Sequence, residues 1–178
     1  ARDQKWGRAV NPEYEVVRAD NDGDGLSDAW EKINGRDPED GKLLFTFDCG
    51  GWQTEGWKGS EQLGNIAGRQ GFLDFTFAED GATLTRDGLK LDAGKNKGDL
   101  VLSARASADV TIQVSSQRQG SRNTLPLVSI TLPAGRDIAR VAVPMPANKA
   151  WSGTIESIQL QIDGPAGTTV EIDSIAIE

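Results

Sequence analysis

The sequence predicts an all-β protein, an antiparallel β-sandwich of the jelly-roll type that follows a short acidic loop and helix. Two observations predict the sandwich. Apolar and polar residues alternate along successive stretches after residue 41, and turns containing Gly or Pro separate these stretches. Alternation with a period of two buries one face of each strand and exposes the other, as in two antiparallel sheets packed face to face.

The charge of the chain divides it into two unequal parts. The protein has 178 residues and a formal net charge of -8, of which -5 falls on residues 1–40. We expect a boundary at about residues 38–41, between an acidic linker (1–40) and the sandwich (41–178). The pI of about 4.6 argues against binding to nucleic acid or to an anionic membrane. The chain also lacks the run of about 18 apolar residues that a membrane-spanning helix needs.

The first predicted element is a short helix with Asp28 and Glu31 in its first turn. Asn34 and Gly35 end this helix, and Pro38 follows, because Gly suits the position after the last helical residue and Pro cannot continue the helix. We expect the apolar residues of the helix to share one face that packs on the rest of the protein, namely Leu26, Ala29, Trp30 and Ile33.

About eight or nine strands follow the helix, one for each alternating stretch. In the last stretch the apolar parity changes between Ile172 and Ile175, so we expect one extra residue, a β-bulge, near Asp173. The alternating apolar residues are Leu43, Phe45, Phe47, Leu73, Phe75, Phe77, Leu100, Leu102, Val110, Ile112, Val114, Val128, Ile130, Leu132, Val141, Val143, Ile158, Leu160, Ile162, Val170 and Ile172.

Residues 20–31, with the sequence DNDGDGLSDAWE, match the template of a calcium-binding loop. Carboxylates at alternate positions of a tight loop point at one centre, and the last carboxylate arrives on the first turn of a helix. So many carboxylates repel one another unless a cation lies between them. The sequence therefore predicts one Ca²⁺ ion. The predicted ligands are Asp20, Asp22, Asp24, the carbonyl of Leu26, Asp28 (directly or through a water) and Glu31.

With the segment NGRDP after it, this EF-hand-like loop resembles a bacterial thrombospondin type 3-like calcium repeat over residues 20–38. Such repeats often lie between the domains of secreted polysaccharide-degrading enzymes. The resemblance implies a secreted, cell-surface or periplasmic location and a covalently linked catalytic domain. The chain has a single loop, and Ser27 stands where paired EF-hands usually carry an aliphatic residue, which favours a structural clamp over a signalling switch.

Four motifs of the second part occur in a characteristic order: FTFD at 45–48, TEGW at 54–57, WSGTI at 151–155 and VEIDSI at 170–175. In this order they resemble galactose-binding-like jelly-roll domains, a group that includes many non-catalytic carbohydrate-binding modules. The resemblance implies a monomer that binds a polysaccharide or oligosaccharide. It also implies a second structural calcium site at Asp48 and Asp173.

Sugar binding needs aromatic faces for the C–H surface of the ring and planar polar groups for its edges. Trp52 follows two glycines and is open to both interpretations, an exposed stacking residue and a core residue. Trp57 and Trp151 begin apolar strand patterns and are better interpreted as core residues. The predicted ligand-binding residues are Trp52, Arg118, Arg122 and Asn123, the last three in the turn around Gly120.

Arginine side chains are also suited to acidic glycans, because the guanidinium forks pair with sulfate or uronate groups. Arg105, Arg118 and Arg122 are candidates for this role, and a solvated surface position is the simpler interpretation of each.

Three hypotheses of function remain: a carbohydrate-binding module, a structural or interaction spacer that binds only calcium, and a small hydrolase or lyase. The chain has no histidine, which excludes Ser-His and Cys-His relays, and its one cysteine, Cys49, cannot form an internal disulfide. Two carboxylates alone can hydrolyse a glycoside, but no pattern selects a pair. We therefore expect no catalysis, although four carboxylates are available for it: Glu55, Asp74, Glu79 and Asp80.

Overall fold

The computed structural model describes residues 19–47, 54–79 and 81–178. In these ranges the chain forms one short helix and twelve strands. The helix is α1 (Asp28–Ile33), and the strands are β1 (Leu44–Phe45), β2 (Trp57–Gly59), β3 (Leu63–Arg69), β4 (Phe72–Phe77), β5 (Ala82–Arg86), β6 (Leu91–Asp92), β7 (Asp99–Ala106), β8 (Val110–Arg118), β9 (Thr124–Leu132), β10 (Ala139–Pro144), β11 (Thr154–Asp163) and β12 (Thr169–Ile177).

The strands form two six-stranded sheets. The first sheet has the order β10-β7-β12-β4-β3, and β1 pairs with the other half of β12; the second has the order β2-β5-β11-β8-β9, and β6 pairs with β11. These strand pairs are antiparallel. From β9 onward each connection crosses from one sheet to the other. The predicted antiparallel β-sandwich is confirmed.

The alternation seen in the sequence builds the core between the sheets. In β4, Leu73, Phe75 and Phe77 are at most 1% exposed, whereas Asp74 and Thr76 are half-buried on the outer face. Burying each such apolar side chain contributes roughly 1.5–3 kcal/mol before the entropic cost of ordering it. The core is therefore the main stabilising feature of the sandwich.

The last strand contains the predicted bulge. The register of β12 against β7 shifts between Ile172 and Ser174, and the residue between them is Asp173. Val170 and Ile172, which precede the bulge, and Ile175, which follows it, all face the core. The extra residue at the bulge explains the change of parity in the sequence.

The acidic loop packs on the sandwich. Leu26 is 1% exposed and belongs to the same hydrophobic cluster as the strand residues. Lys90 N donates a hydrogen bond to Gly23 O (2.8 Å), and Gly41 N donates one to Asp22 Oδ2 (2.9 Å). The loop is thus attached both to the segment before β6 and to the segment before β1.

Helix α1 begins after the cap Ser27 and ends before Asn34, as predicted. One prediction about its apolar face is wrong. Ile33 is 85% exposed, because the helix has only six residues and its last turn extends beyond the sandwich.

The structure has more strands than the sequence predicts. Three of the twelve, β1, β2 and β6, have only two or three residues, which is too short to produce an alternating pattern. Within residues 19–47, 54–79 and 81–178, no helix has the length and apolar character needed to cross a membrane.

Candidate functional site

The acidic loop brings three carboxylates together. One carboxylate oxygen each from Asp20, Asp22 and Asp24 lies within 4.8 Å of the others. Backbone amides hold them in place: Gly23 N donates to Asp20 Oδ1 (2.8 Å), and Leu26 N donates to Asp24 Oδ1 (2.7 Å). Because these bonds use only part of the acceptor capacity of the carboxylates, lone pairs remain for a cation.

Helix α1 carries the two remaining predicted carboxylates, Asp28 and Glu31. The Ser27 hydroxyl accepts a hydrogen bond from Trp30 N (3.3 Å), and this cap fixes the first turn of the helix, in which Glu31 lies. Glu31 is 1% exposed, and its Oε2 is buried without a hydrogen-bond partner among the described residues. A buried carboxylate oxygen without a partner is costly, and a bound cation would remove that cost.

The electrostatics of the loop agree with this geometry. Burial, and after it the charges of neighbouring carboxylates, raise the pKa of Asp24 to about 7 and the pKa of Glu31 to about 8. Burial also raises the pKa of Asp20. A set of oxygen donors that resists ionisation without a counter-charge fits a hard divalent cation such as Ca²⁺.

Two other loop residues have distinct roles. Both oxygens of Asp28 accept hydrogen bonds from Asn21, one from its backbone N (2.8 Å) and one from its Nδ2 (2.5 Å), which favours the water-mediated alternative for Asp28. Gly25 has a φ of 94°, and a Cβ at this position would lie 2.5 Å from Leu89 Cδ2. The sharp turn of the loop therefore needs glycine both for its backbone conformation and for space.

Arg86 at the end of β5 lies beneath the loop. Its Nη2 donates to Gly25 O, its Nε donates to Glu55 O (2.8 Å), and its guanidinium lies 5.7 Å from the centre of the Phe45 ring. Burial lowers the pKa of Arg86, and the charges of Asp20 and then Asp24 oppose that shift. Arg86 thus supplies one buried positive charge close to the loop carboxylates.

The predicted second calcium site is described only in part. Asp173 lies at the bulge of β12 and is half-buried, whereas Asp48 lies outside the described residues. Trp52 and Cys49 also lie outside them. The second site and the role of Trp52 stay predictions.

A separate pocket of about 480 Å³ opens where the turn before β7 meets the segment between β10 and β11. Its volume lies in the range of small-ligand sites. Trp151 lines it with a mostly buried ring, 8% exposed, and Trp151 Nε1 donates a hydrogen bond to Asn96 O (2.7 Å). The pocket is lined by Ala93, Gly94, Lys97, Gly98, Met145, Pro146, Ala147, Trp151, Ser152 and Gly153.

One of the predicted ligand-binding arginines does not line this pocket but contacts a residue that does. Arg118, at the end of β8, donates from Nη1 to Ser152 Oγ at 3.4 Å, and Ser152 lines the pocket. Arg122 and Asn123 lie in the exposed turn between β8 and β9. The described contacts do not join these two to the pocket.

The interpretation of Trp57 and Trp151 as core residues is confirmed. Trp57 is 2% exposed and meets Phe45 in an edge-to-face contact with ring centres 5.5 Å apart.

Arg105 is engaged within the protein, because its Nε and Nη2 donate to both carboxylate oxygens of Glu171, at 2.5 and 3.0 Å. This pairing makes Arg105 a poor candidate for binding an anionic glycan.

Sequence reasoning missed most of the pocket. The lining residues Lys97, Met145 and Pro146 belong to no motif and come from two segments nearly fifty residues apart in sequence. The one available signal was Trp151 in the motif WSGTI, which indicates a strand start as readily as a ligand site.

No protein-family model matches the chain, and no curated protein matches it by sequence. Solved carbohydrate-binding modules are similar to it in fold. BiXyn10A CBM1 in its apo form is 11% identical with a TM-score of 0.49, over 75% of this chain and 94% of that one. A family 6 module from Clostridium stercorarium in complex with cellobiose is 19% identical with a TM-score of 0.47, over 66% of this chain and 83% of that one. A mutant family 29 module complexed with mannohexaose is 11% identical with a TM-score of 0.48, over 68% and 80%.

Proposed function

We propose that this chain is a non-catalytic carbohydrate-binding module whose fold is stabilised by one calcium ion in the loop at residues 20–31. The calcium part rests on one observation: Glu31 is buried with an unpartnered carboxylate oxygen next to a cluster of three aspartates. The amount of buried negative charge makes a divalent cation the simplest means of stabilising the loop.

The carbohydrate part of the proposal rests on the pocket beside Trp151. Its lining combines the apolar side chains of Met145, Pro146 and the mostly buried Trp151 with the polar side chains of Lys97 and Ser152. A sugar unit has an apolar C–H face and polar hydroxyl edges, so this combination is suited to it. Two of the solved modules with similar folds are complexes with cellobiose and with mannohexaose, but their identities of 19% and 11% limit that similarity to the fold.

Other predicted features belong to this proposal without support from described contacts. Trp52, Arg122 and Asn123 are proposed as further ligand-binding residues, and Asp48 with Asp173 as a second calcium site. We also propose, from the thrombospondin-like repeat, that the module belongs to a larger secreted carbohydrate-active enzyme. Extracellular calcium is plentiful enough to fill even a weak site.

The alternative function is a spacer that binds calcium only. The packing of Leu26 into the sandwich core favours it, because a calcium clamp would then stabilise the module whether or not a glycan binds. The two functions differ in the use of the Trp151 pocket.

The calcium site is tested by calorimetric titration of the chelator-treated protein. We expect Glu31→Gln to weaken calcium binding by at least about tenfold, because one ligand loses its charge and an oxygen. Glu39→Gln is the matched control, since Glu39 is exposed in the same acidic segment. Equal calcium affinity in the two variants would contradict the site.

The glycan site is tested by a glycan array with neutral and acidic polysaccharides. Ala147→Trp fills the mouth of the pocket with a large side chain and should reduce binding by at least about tenfold, whereas Ala166→Trp, at an exposed turn residue, should not change it. Absence of binding to every polysaccharide would leave the spacer function. Binding that survives Ala147→Trp would place the glycan elsewhere on the module.

A further inference from the structure

Hydrogen bonds join the calcium loop to the wall of the pocket. Gly41 N donates to Asp22 Oδ2 (2.9 Å), and Asn96 Nδ2 donates to Gly41 O (2.8 Å). Trp151 Nε1 in turn donates to Asn96 O (2.7 Å). Three segments that are far apart in sequence, the acidic loop, the turn at 92–98 and the segment at 145–153, are thus connected through Asn96.

We infer that calcium in the loop orders the pocket beside Trp151 through Asn96, so that calcium binding and sugar binding are thermodynamically coupled. This inference rests on the proposed function, because it assumes an ion in the loop and a sugar in the pocket. Coupling between two sites is reciprocal, so a sugar in the pocket would raise calcium affinity by the same factor.

At the loop end, the coupling begins at Asp22. Asp22 Oδ1 accepts from Asp24 N (3.2 Å) and Asp22 Oδ2 accepts from Gly41 N (2.9 Å), and each oxygen keeps a lone pair for the ion. Without calcium, repulsion from Asp20 and Asp24 acts directly on the group that anchors Gly41.

At the centre, Asn96 leaves little freedom to the groups that it joins. The residue is 1% exposed, and its side chain also accepts from Leu43 N (2.8 Å) and donates to Asp92 O (3.0 Å). A displacement of Gly41 therefore breaks one of the hydrogen bonds that hold the buried Asn96 side chain and deprives Gly41 O of its donor.

At the pocket end, the turn at 92–98 is hydrogen-bonded to both ends of the segment at 145–153. Met145 N donates to Gly98 O (2.9 Å), and Ala93 N donates to Gly153 O (3.0 Å). Together with the bond from Trp151 to Asn96, these contacts make the shape of the pocket depend on the position of the turn. A calcium-free loop that releases Gly41 thus loosens the turn and the pocket together.

The test measures hydrogen exchange of the Trp151 indole proton by NMR in the whole chain, with calcium and after chelation. The Trp151→Phe variant assigns the resonance. The amide of Leu160, in the centre of the second sheet, reports stabilisation of the whole fold. We expect calcium to slow exchange at Trp151 at least about fivefold more than it slows exchange at Leu160. A factor of about five is the lower end of the usual range of coupling between two sites. Equal slowing at both positions overturns the inference.

Two variants test the path itself. Asn96→Asp keeps an acceptor for Leu43 but removes the donations to Gly41 O and Asp92 O, and should abolish the extra slowing at Trp151. The matched control is Asn148→Ala, which removes a side-chain bond to Ala150 N (2.8 Å) in the segment that precedes Trp151 and should retain the extra slowing. Extra slowing that persists in Asn96→Asp overturns the path.

These outcomes separate this inference from the proposed function. If Asn96→Asp fails to fold, the test rests on the wild-type protein alone. There, the calcium-induced slowing of hydrogen exchange at Trp151 is compared with that at Leu160. If calorimetry detects no calcium binding, the proposed function is wrong and the coupling with it. If calcium binds and both positions slow equally, only the coupling is wrong.

Discussion

At the scale of single residues, the loop carboxylates determine how the protein responds to calcium and to pH. Asp24 and Glu31 have pKa values raised to about 7 and about 8, first by burial and then by the charges of neighbouring aspartates, which are Asp22 and Asp20 for Asp24 and chiefly Asp24 for Glu31. In the unfolded chain the same groups titrate near the ordinary pKa values of 3.8 for Asp and 4.5 for Glu. Each folded pKa therefore lies above its unfolded value.

This shift predicts a pH-dependent effect of calcium. Without calcium, the folded state binds more protons than the unfolded state, so the stability from these two groups is complete below their unfolded pKa values and is lost as the pH rises through about 7 and about 8. Calcium needs the ionised carboxylates and competes with protons.

We therefore expect the rise in melting temperature caused by calcium to grow as the pH increases from below the pKa of Asp24 to above the pKa of Glu31. Thermal unfolding followed by circular dichroism, with and without chelator at each pH, measures it. Glu31→Gln should flatten this dependence. A calcium effect that is constant across this range would contradict the buried-carboxylate explanation.

At the scale of elements, β5 and the acidic loop are joined by one side chain. Arg86 reaches the backbone oxygens of Gly25 and Glu55 and packs on the ring of Phe45. A lysine keeps the charge but lacks the planar fork that bonds several carbonyls at once. The position therefore depends on geometry as well as on charge.

We expect Arg86→Lys to lower the free energy of unfolding by about 1–3 kcal/mol in calcium-saturated buffer, because buried carbonyls lose their donors. Arg140→Lys is the matched control and should change it by no more than about 0.5 kcal/mol, since Arg140 and its partner Glu178 are both more than half exposed. Urea denaturation measures both variants. Equal effects would show that Arg86 does not join the two elements.

At the scale of the whole molecule, the loop and the sandwich share one core. Leu26 from the loop and the strand residues belong to a single hydrophobic cluster, and Asn96 ties the segment after α1 to the turn before β7. The boundary at residues 38–41 stays a prediction about domain organisation. The packing nevertheless implies that the loop and the sheets gain stability together.

We expect calcium-saturated protein to unfold in a single cooperative transition. Free calcium at about 100 times its dissociation constant should raise the free energy of unfolding by about 2.7 kcal/mol, because the ion binds only the folded state. Calorimetry, with tryptophan fluorescence and far-ultraviolet circular dichroism as parallel probes, measures this. A separate transition of the loop, seen by one probe and not by the others, would contradict a shared core.

The sequence by itself determined the local features. Alternation predicted the strands of the sandwich, the parity change near Asp173 predicted the bulge, and the capping residues predicted α1. The spacing of residues 20–31 predicted which carboxylates lie together, because ligands of one loop are neighbours in sequence. Such features need contacts over only a few residues, so they leave a readable pattern.

Only the tertiary structure decided where distant segments meet. It placed Arg86 beneath the loop, left Ile33 exposed, paired Arg105 with Glu171, and brought Asn96 between Gly41 and Trp151. These contacts join residues from separate elements, and their formation depends on how two sheets and a loop pack as a whole. No local pattern encodes them, because each residue involved would satisfy the same local rules in many other environments.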